Sequence, residues 1–212
     1  QGRGDLLAVD IGGATTDVYS MASGEPTVDN TMLKGLPEPW MKRTVEGDLG
    51  MRYSLTHVYE QIPGADNPEN EYMQQVKAWV ELCTARPDTL AAPGSEEEKL
   101  EEFLGRSAVS MAVERHCGRI ADVYTPLGLM HTQEGKDLMN VPSVIGIGGV
   151  LRNSRRPEEI LKGSLYDFMH PECTKPRKPK FYLDQKYIFA SMGLLRSINP
   201  ELPFEVWDKE TV

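Results

Sequence analysis

Asp10, Thr15, Thr16 and Asp17 surround Gly12-Gly13 in the run LLAVDIGGATTDVYSM, residues 6–21. Together they can hold a phosphate. Two glycines let the main chain approach an anion, successive N–H groups point at it, and the threonine hydroxyls add donors. Asp10 can hold Mg²⁺ through water. The same residues also suit an ordinary hairpin turn, in which Gly-Gly supplies positive φ. The aspartates favour the phosphate reading, because a carboxylate beside a buried apolar run is costly unless it serves an ion or a hydrogen-bond network.

The elements that position these groups follow from the pattern around them. An aliphatic run, Leu6–Ile11, enters the glycines and a second, Thr16–Met21, leaves them, which predicts two strands of a hairpin. After the Gly24-Glu25-Pro26 turn, Thr27–Leu33 can form a third strand. Thr44–Met51 reads as the first turn of a helix, with Thr44 or Asp48 near its cap. Tyr72, Val76, Trp79, Val80 and Cys83 repeat at helical spacing within 69–84. A long helix is expected from Ser95, with Glu98 completing a capping box, to about Ile120. Its first half, EEEKLEE, reads as solvated and its second half as entering a core. This division places an inserted helical lobe at 57–104, with 1–56 and 105–212 forming the main body.

Residues 122–140 carry no assignable pattern. Ser143–Ile147 then reads as a buried strand, Gly148-Gly149 as a turn, and Arg156–Leu165 as a helix with Pro157 in its first turn. Residues 180–183 suit a last strand, and Asp184 a cap for a final helix through Ile198. Strands alternating with helices indicate an α/β fold.

The bulk numbers narrow the function classes. The chain has 212 residues, 40% of them hydrophobic, and a net charge of −9, which disfavours a general nucleic-acid or anionic-membrane surface. No run approaches the length of a membrane span. Lys175, Arg177, Lys178 and Lys180 are interleaved with Pro176 and Pro179 and read as an extended solvated linker. Cys83, Cys117 and Cys173 are odd in number and lack metal spacing, which fits a reducing cytoplasm. His170-Pro171-Glu172-Cys173 has no second cluster with which to hold zinc, and Cys117 has no activating base on its helix face. The chain opens on Gln1 and reaches a strand within five residues, so a fragment of a longer protein or a processed subunit is expected.

VIGIGGVLRNSRRPEEIL (144–161) repeats the order strand, Gly-Gly, helix, without the G-x-G-x-x-G of a dinucleotide site. With the opening hairpin, the inserted lobe and the closing strand–helix, this order resembles the second half of the actin-like ATPase superfamily, which joins acetate and sugar kinases, DnaK-type chaperones and actin. Asp10–Val18 resembles its second phosphate motif, Ile145–Arg152 its adenosine motif, and Leu183–Leu195 its closing helix. TVEGDLGMR (44–52), AVERHCGRI (112–120) and VPSVIGIGGVLRN (141–153) resemble stretches of the MutL family, which is unrelated to the mismatch-repair protein of that name. That family accompanies adenosylcobalamin-dependent glutamate mutase and related aminomutases. Ala14 departs from the superfamily motif, which prefers a third glycine there, and the superfamily's first phosphate motif has no counterpart in the chain.

The resemblance implies a ribonuclease H-like, actin-like ATPase half-domain: a mixed sheet flanked by helices, with an inserted helical lobe. It implies ATP and Mg²⁺ as ligands. Asp10 and Thr15 would do the chemistry, Asp10 orienting Mg²⁺ or the attacking water. Gly12, Gly13, Ala14, Thr15 and Thr16 would contact phosphates, with Asp17 steadying the turn. Gly148 and Gly149 would face the sugar or base, and Arg152 would stack on adenine or lie on the surface. Glu46 would approach the ribose or serve a helix dipole, and Glu114 would lie on the helix that contacts adenosine. The implied partners are the N-terminal half of the ATPase, without which no hydrolysis is expected, and aminomutase subunits, with neither nucleic acid nor membrane. An interaction module lacking its partner half, and a piece of a sugar or acetate kinase, are the alternatives.

Overall fold

Burial on both faces accounts for the unbroken apolar run at the start of the chain. In the computed structural model, which describes residues 4–126, 128–189, 191 and 193, Leu6–Ile11 (β1) lies at the centre of a five-stranded sheet. Its antiparallel partner is Thr16–Met21 (β2), which in turn pairs antiparallel with Met41–Glu46 (β4). On its other side lie Ser143–Ile147 (β7) and then Lys180–Leu183 (β8), both parallel to it. The order is β4-β2-β1-β7-β8. Leu7, Val9 and Ile11 face the main core, whereas Ala8, Ile145 and Ile147 form a smaller cluster on the opposite face with Leu6, Tyr19, Tyr182 and Phe189.

The helices are Leu55–Glu60 (α1), Glu71–Ala85 (α2), Glu96–His116 (α3), Gly149–Asn153 (α4) and Pro157–Leu161 (α5), the last followed by a 3-10 turn at Lys162–Ser164. Val76, Val80, Leu104, Val109, Val113 and Ile160 from α2, α3 and α5 join Leu7, Val9 and Ile11 in one cluster of buried side chains. A second sheet holds Thr31–Lys34 (β3), Gly128–Glu134 (β6) and Arg119–Thr125 (β5), in the order β3-β6-β5.

The architecture is mixed α/β, and several local expectations require correction. Thr44 and its neighbours form an edge strand rather than a helix start, because alternate residues of β4 turn inward against α3, where the Thr44 hydroxyl meets His116 Nδ1 at 2.9 Å. The third strand starts at Thr31, later than expected, and belongs to the second sheet. Residues 122–140, without an assignable pattern, contain most of the β5–β6 hairpin.

Helix α3 stops at His116, short of Ile120. Gly118 there crosses the chain so closely that a Cβ would stand 2.8 Å from the Glu134 carbonyl oxygen. Helix α2 is capped by the Asn70 side chain, and Met73 takes the buried place expected of the exposed Tyr72. The acidic half of α3 is solvated only in part: Glu96, Glu97 and Lys99 are exposed, but Glu98, Glu101 and Glu102 are buried, the last two paired with Arg52 and Arg156. Lys175 is not on a solvated linker either. It is buried, and its Nζ donates to the Ser110 carbonyl and hydroxyl, both at 3.0 Å. Of the helix expected from Asp184 to Ile198, residues 184–188 are turn and bend instead, with Tyr187 at φ +54°. Residues 189, 191 and 193 are helical and the rest lies outside the described residues, while the Asp184 carboxylate accepts the Ile188 and Phe189 amides at 3.0 and 2.8 Å.

Candidate functional site

At the carboxyl end of β1 the chain turns through Gly12, Gly13, Ala14 and Thr15. None of these residues has a positive φ, so positive φ does not account for the two glycines, and Ala14 fits the turn in a conventional conformation. The Gly12 amide donates to the Thr15 carbonyl at 2.8 Å and is therefore not available to a ligand, which corrects its expected role as a donor. Among the described residues no backbone carbonyl takes the amides of Gly13, Ala14 or Thr15.

The threonines divide. Thr16 is buried, and its hydroxyl donates to the Leu49 carbonyl, which removes it from any ligand-facing set. Thr15 stays at the surface side of the turn, its hydroxyl donating to Asp17 Oδ2 at 3.3 Å. Asp17 Oδ1 accepts from Arg43 Nε and Nη2 at 3.0 and 2.7 Å, and that guanidinium lies over the Tyr19 ring.

Asp10 sits one residue before the end of β1, in register with Asp17 on β2 and Ile147 on β7. Its carboxyl is pushed above the ordinary range, first by burial and then by the negative charges of Asp17 and Asp184. Among the described residues it makes no ion pair, and no group of three or more potential metal ligands forms.

The second glycine pair crosses this end of β1. Gly148 has φ +117°, and a Cβ on it would lie 2.2 Å from the Ile11 carbonyl oxygen. Gly149 opens α4, next to the Tyr187 hydroxyl, and the Arg152 guanidinium lies 5.6 Å from the centre of the Tyr187 ring. Ile11, Gly12 and Gly13 share with Gly149, Val150 and Asn153 a cavity of about 180 Å³, completed by Met51, Arg52, Leu90 and Glu101. Gly12, Gly13 and Gly149 thus meet at one cavity.

Arg52 and Glu101 have no motif to announce them, and they stand 49 positions apart. Their ion pair, at 2.5 Å, is largely shielded from water.

Glu46 and Glu114 do not line that cavity. Arg115 binds Glu46 and Asp48, both at 2.7 Å, and holds the Asp48 carboxyl down to about 2. Glu114 pairs with Arg119 at 3.0 Å. Both carboxylates are paired with arginines in this structure. His116 is bound through both ring nitrogens, to Thr44 and to Ser20 Oγ, and burial pushes its pKa down to about 3. It is a structural histidine. Burial also pushes the Cys117 thiol up to about 12, which removes it as a nucleophile.

A family model described as MutL protein matches residues 1–211 of the chain. The chain is also 45% identical, over an alignment of 214 residues that takes in all of it, to Protein MutL of Clostridium tetanomorphum. It spans 46% of that relative's length. No helix among the described residues is long and apolar enough to cross a membrane.

Proposed function

From the premise that the chain belongs to the MutL family, we propose that it is the C-terminal, nucleotide-binding half of an actin-like ATPase that serves an adenosylcobalamin-dependent aminomutase. The observation that carries this reading is the row of unspent amides from Gly13 to Thr15, set between Asp10 and Asp17 where the second glycine pair crosses β1. The sheet order supports it too. Three antiparallel strands followed by two parallel ones suit a ribonuclease H-like half, and ligands of such sheets bind beyond the carboxyl ends of the parallel strands.

In this reading the Gly13, Ala14 and Thr15 amides hold phosphate oxygens of ATP, and the Thr15 hydroxyl adds a donor. Asp10 suits Mg²⁺ held through water: among the described residues it has no ion-pair partner, and its neighbours Asp17 and Asp184 make the site more negative. When bound, Mg²⁺ would neutralise charge on the phosphates. Arg152 and Tyr187, stacked beside Gly149, offer a flat surface to the nucleoside. The intact protein would use ATP binding or hydrolysis to reactivate the mutase in the cytoplasm. Its partners would be mutase subunits rather than nucleic acid or membrane.

Isothermal titration with ATP·Mg²⁺ tests the reading. Micromolar binding by the intact protein is expected, with far weaker binding by these 212 residues alone. Each charge-assisted hydrogen bond lost with the opposing phosphate loop costs roughly 1.5–3 kcal/mol. An intact protein that binds no nucleotide would overturn it.

One observation favours a second reading, an interaction module that contributes only a folded surface. The shared cavity of about 180 Å³ is smaller than the roughly 300–1,000 Å³ usual for ligand pockets. Micromolar ATP binding by the isolated chain would remove that reading.

A further inference from the structure

The first three carbonyls of the turn, those of Gly12, Gly13 and Ala14, are taken by one short segment. The Met51 amide donates to the Gly12 carbonyl at 3.0 Å, and the Arg52 and Tyr53 amides both donate to Gly13 at 2.8 Å. The Ser54 hydroxyl donates to the Ala14 carbonyl at 2.8 Å. The peptide bonds are trans, so within each peptide unit the N–H points opposite to the C=O. The amides of Gly13, Ala14 and Thr15 belong to the same three units as those carbonyls. They therefore point together, away from residues 51–54.

Three further features suit this segment to the task. Gly50 lies against the turn so closely that a Cβ would fall 2.3 Å from the Ala14 carbonyl carbon. Ser54 occupies the N-cap position of α1, yet its side chain accepts no amide of that helix; its single hydroxyl proton faces the Ala14 carbonyl at 2.8 Å and the Gly47 carbonyl at 3.0 Å. A serine there ordinarily accepts an amide of the helix's first turn. The segment is itself anchored: the Arg52 guanidinium binds the Met51, Pro87 and Thr89 carbonyls and Glu101 of α3.

We infer that residues 49–54 are the positioning device of the turn, with Gly50 and Ser54 as positioning residues that aim the Gly13–Thr15 amides. The inference rests on the phosphate reading above and adds the origin of its geometry. It predicts a selective defect. Misaiming the amides weakens contact with phosphates and leaves the nucleoside subsite intact.

The experiment compares ADP·Mg²⁺ with adenosine by isothermal titration in the intact protein. Gly50→Ala should weaken ADP at least about tenfold and Ser54→Ala about threefold, with adenosine held within about twofold. Ser54→Thr, which keeps the hydroxyl, should restore ADP to within about twofold of the starting protein. Equal loss of both ligands, or ADP affinity unchanged in Ser54→Ala, would overturn the inference. If Gly50→Ala fails to fold, the two Ser54 variants decide alone. Failure of the starting protein to prefer ADP over adenosine would instead remove the phosphate reading, and this inference with it.

Discussion

Gly12-Gly13 and Gly148-Gly149 each follow a buried central strand, and Gly12, Gly13 and Gly149 line one cavity, yet Gly13 and Gly148 stand in the fold for different reasons. At Gly148 a side chain is excluded twice, by φ +117° and by the Ile11 carbonyl 2.2 Å from where a Cβ would be. At Gly13 the backbone is conventional, and a Cβ would meet only Arg52 and Tyr53 carbons at ordinary contact distances, the nearest 3.7 Å away. Backbone conformation and packing together explain Gly148. Neither explains Gly13, the glycine to which the proposed phosphate contact gives a role. The first turn owes its shape to hydrogen bonds from residues 51–54, the second to the exclusion of any Cβ.

The contrast can be broken most sharply at Gly148. Gly148→Ala combines backbone strain with overlap on β1 and should cost more than about 4 kcal/mol, seen as a large fall in the urea midpoint or as loss of soluble protein. A midpoint close to that of the starting protein would show that the crossing yields easily. Next comes Arg52→Met, which leaves Glu101 buried without its partner and should cost roughly 3 kcal/mol by the same measurement. An unchanged midpoint would mean that the first turn needs no anchored segment behind it.

Asp10→Asn should act in the opposite direction. The folded state raises the Asp10 pKa, so between its ordinary 3.8 and that raised value the folded chain binds more protons than the unfolded one. Its contribution to stability is then present at low pH and lost as pH rises. The variant should therefore melt above the starting protein at pH 7. That gain should fade as the pH drops toward 3.8, while binding of Mg²⁺-nucleotide by the intact protein weakens. A melting difference independent of pH would refute the electrostatic origin. The smallest effect on stability is expected at Gly13→Ala, within about 0.5 kcal/mol in urea, since the alanine fits the backbone present. ATP affinity of the intact protein should nonetheless fall, and a large loss of stability would erase the distinction between the pairs.

Elements with strong local signals are legible in the chain. Strands β1, β7 and β8 are short, largely apolar runs beside glycine or proline, β2 alternates buried with half-buried residues, and all four form where the pattern puts them. The β5–β6 hairpin has no such signal, because most of its residues are exposed and neither alternation nor an apolar run marks it. Strand β4 has threonine and acids that imitate a helix cap, and only pairing with β2 reveals it as a strand. At the site, Asp10 and the glycine turn stand out by residue type. Thr16 looks equivalent to Thr15, and only the position of Leu49 shows that its hydroxyl is consumed.

Local residue types were enough to mark the glycine turns, the central strands, the body of α2 and the capped start of α3, since φ preference, side-chain periodicity and capping act over a few neighbouring residues. Tertiary structure alone decided which charges are buried and which polar groups remain free. Glu101 and Lys175 read as solvated until Arg52 and Ser110 are brought beside them, 49 and 65 positions away along the chain. The direction of the Gly13–Thr15 amides likewise depends on a segment about forty residues downstream. The physical reason is that desolvation and hydrogen-bond satisfaction depend on whatever the folded chain places within a few ångströms, which local sequence does not encode.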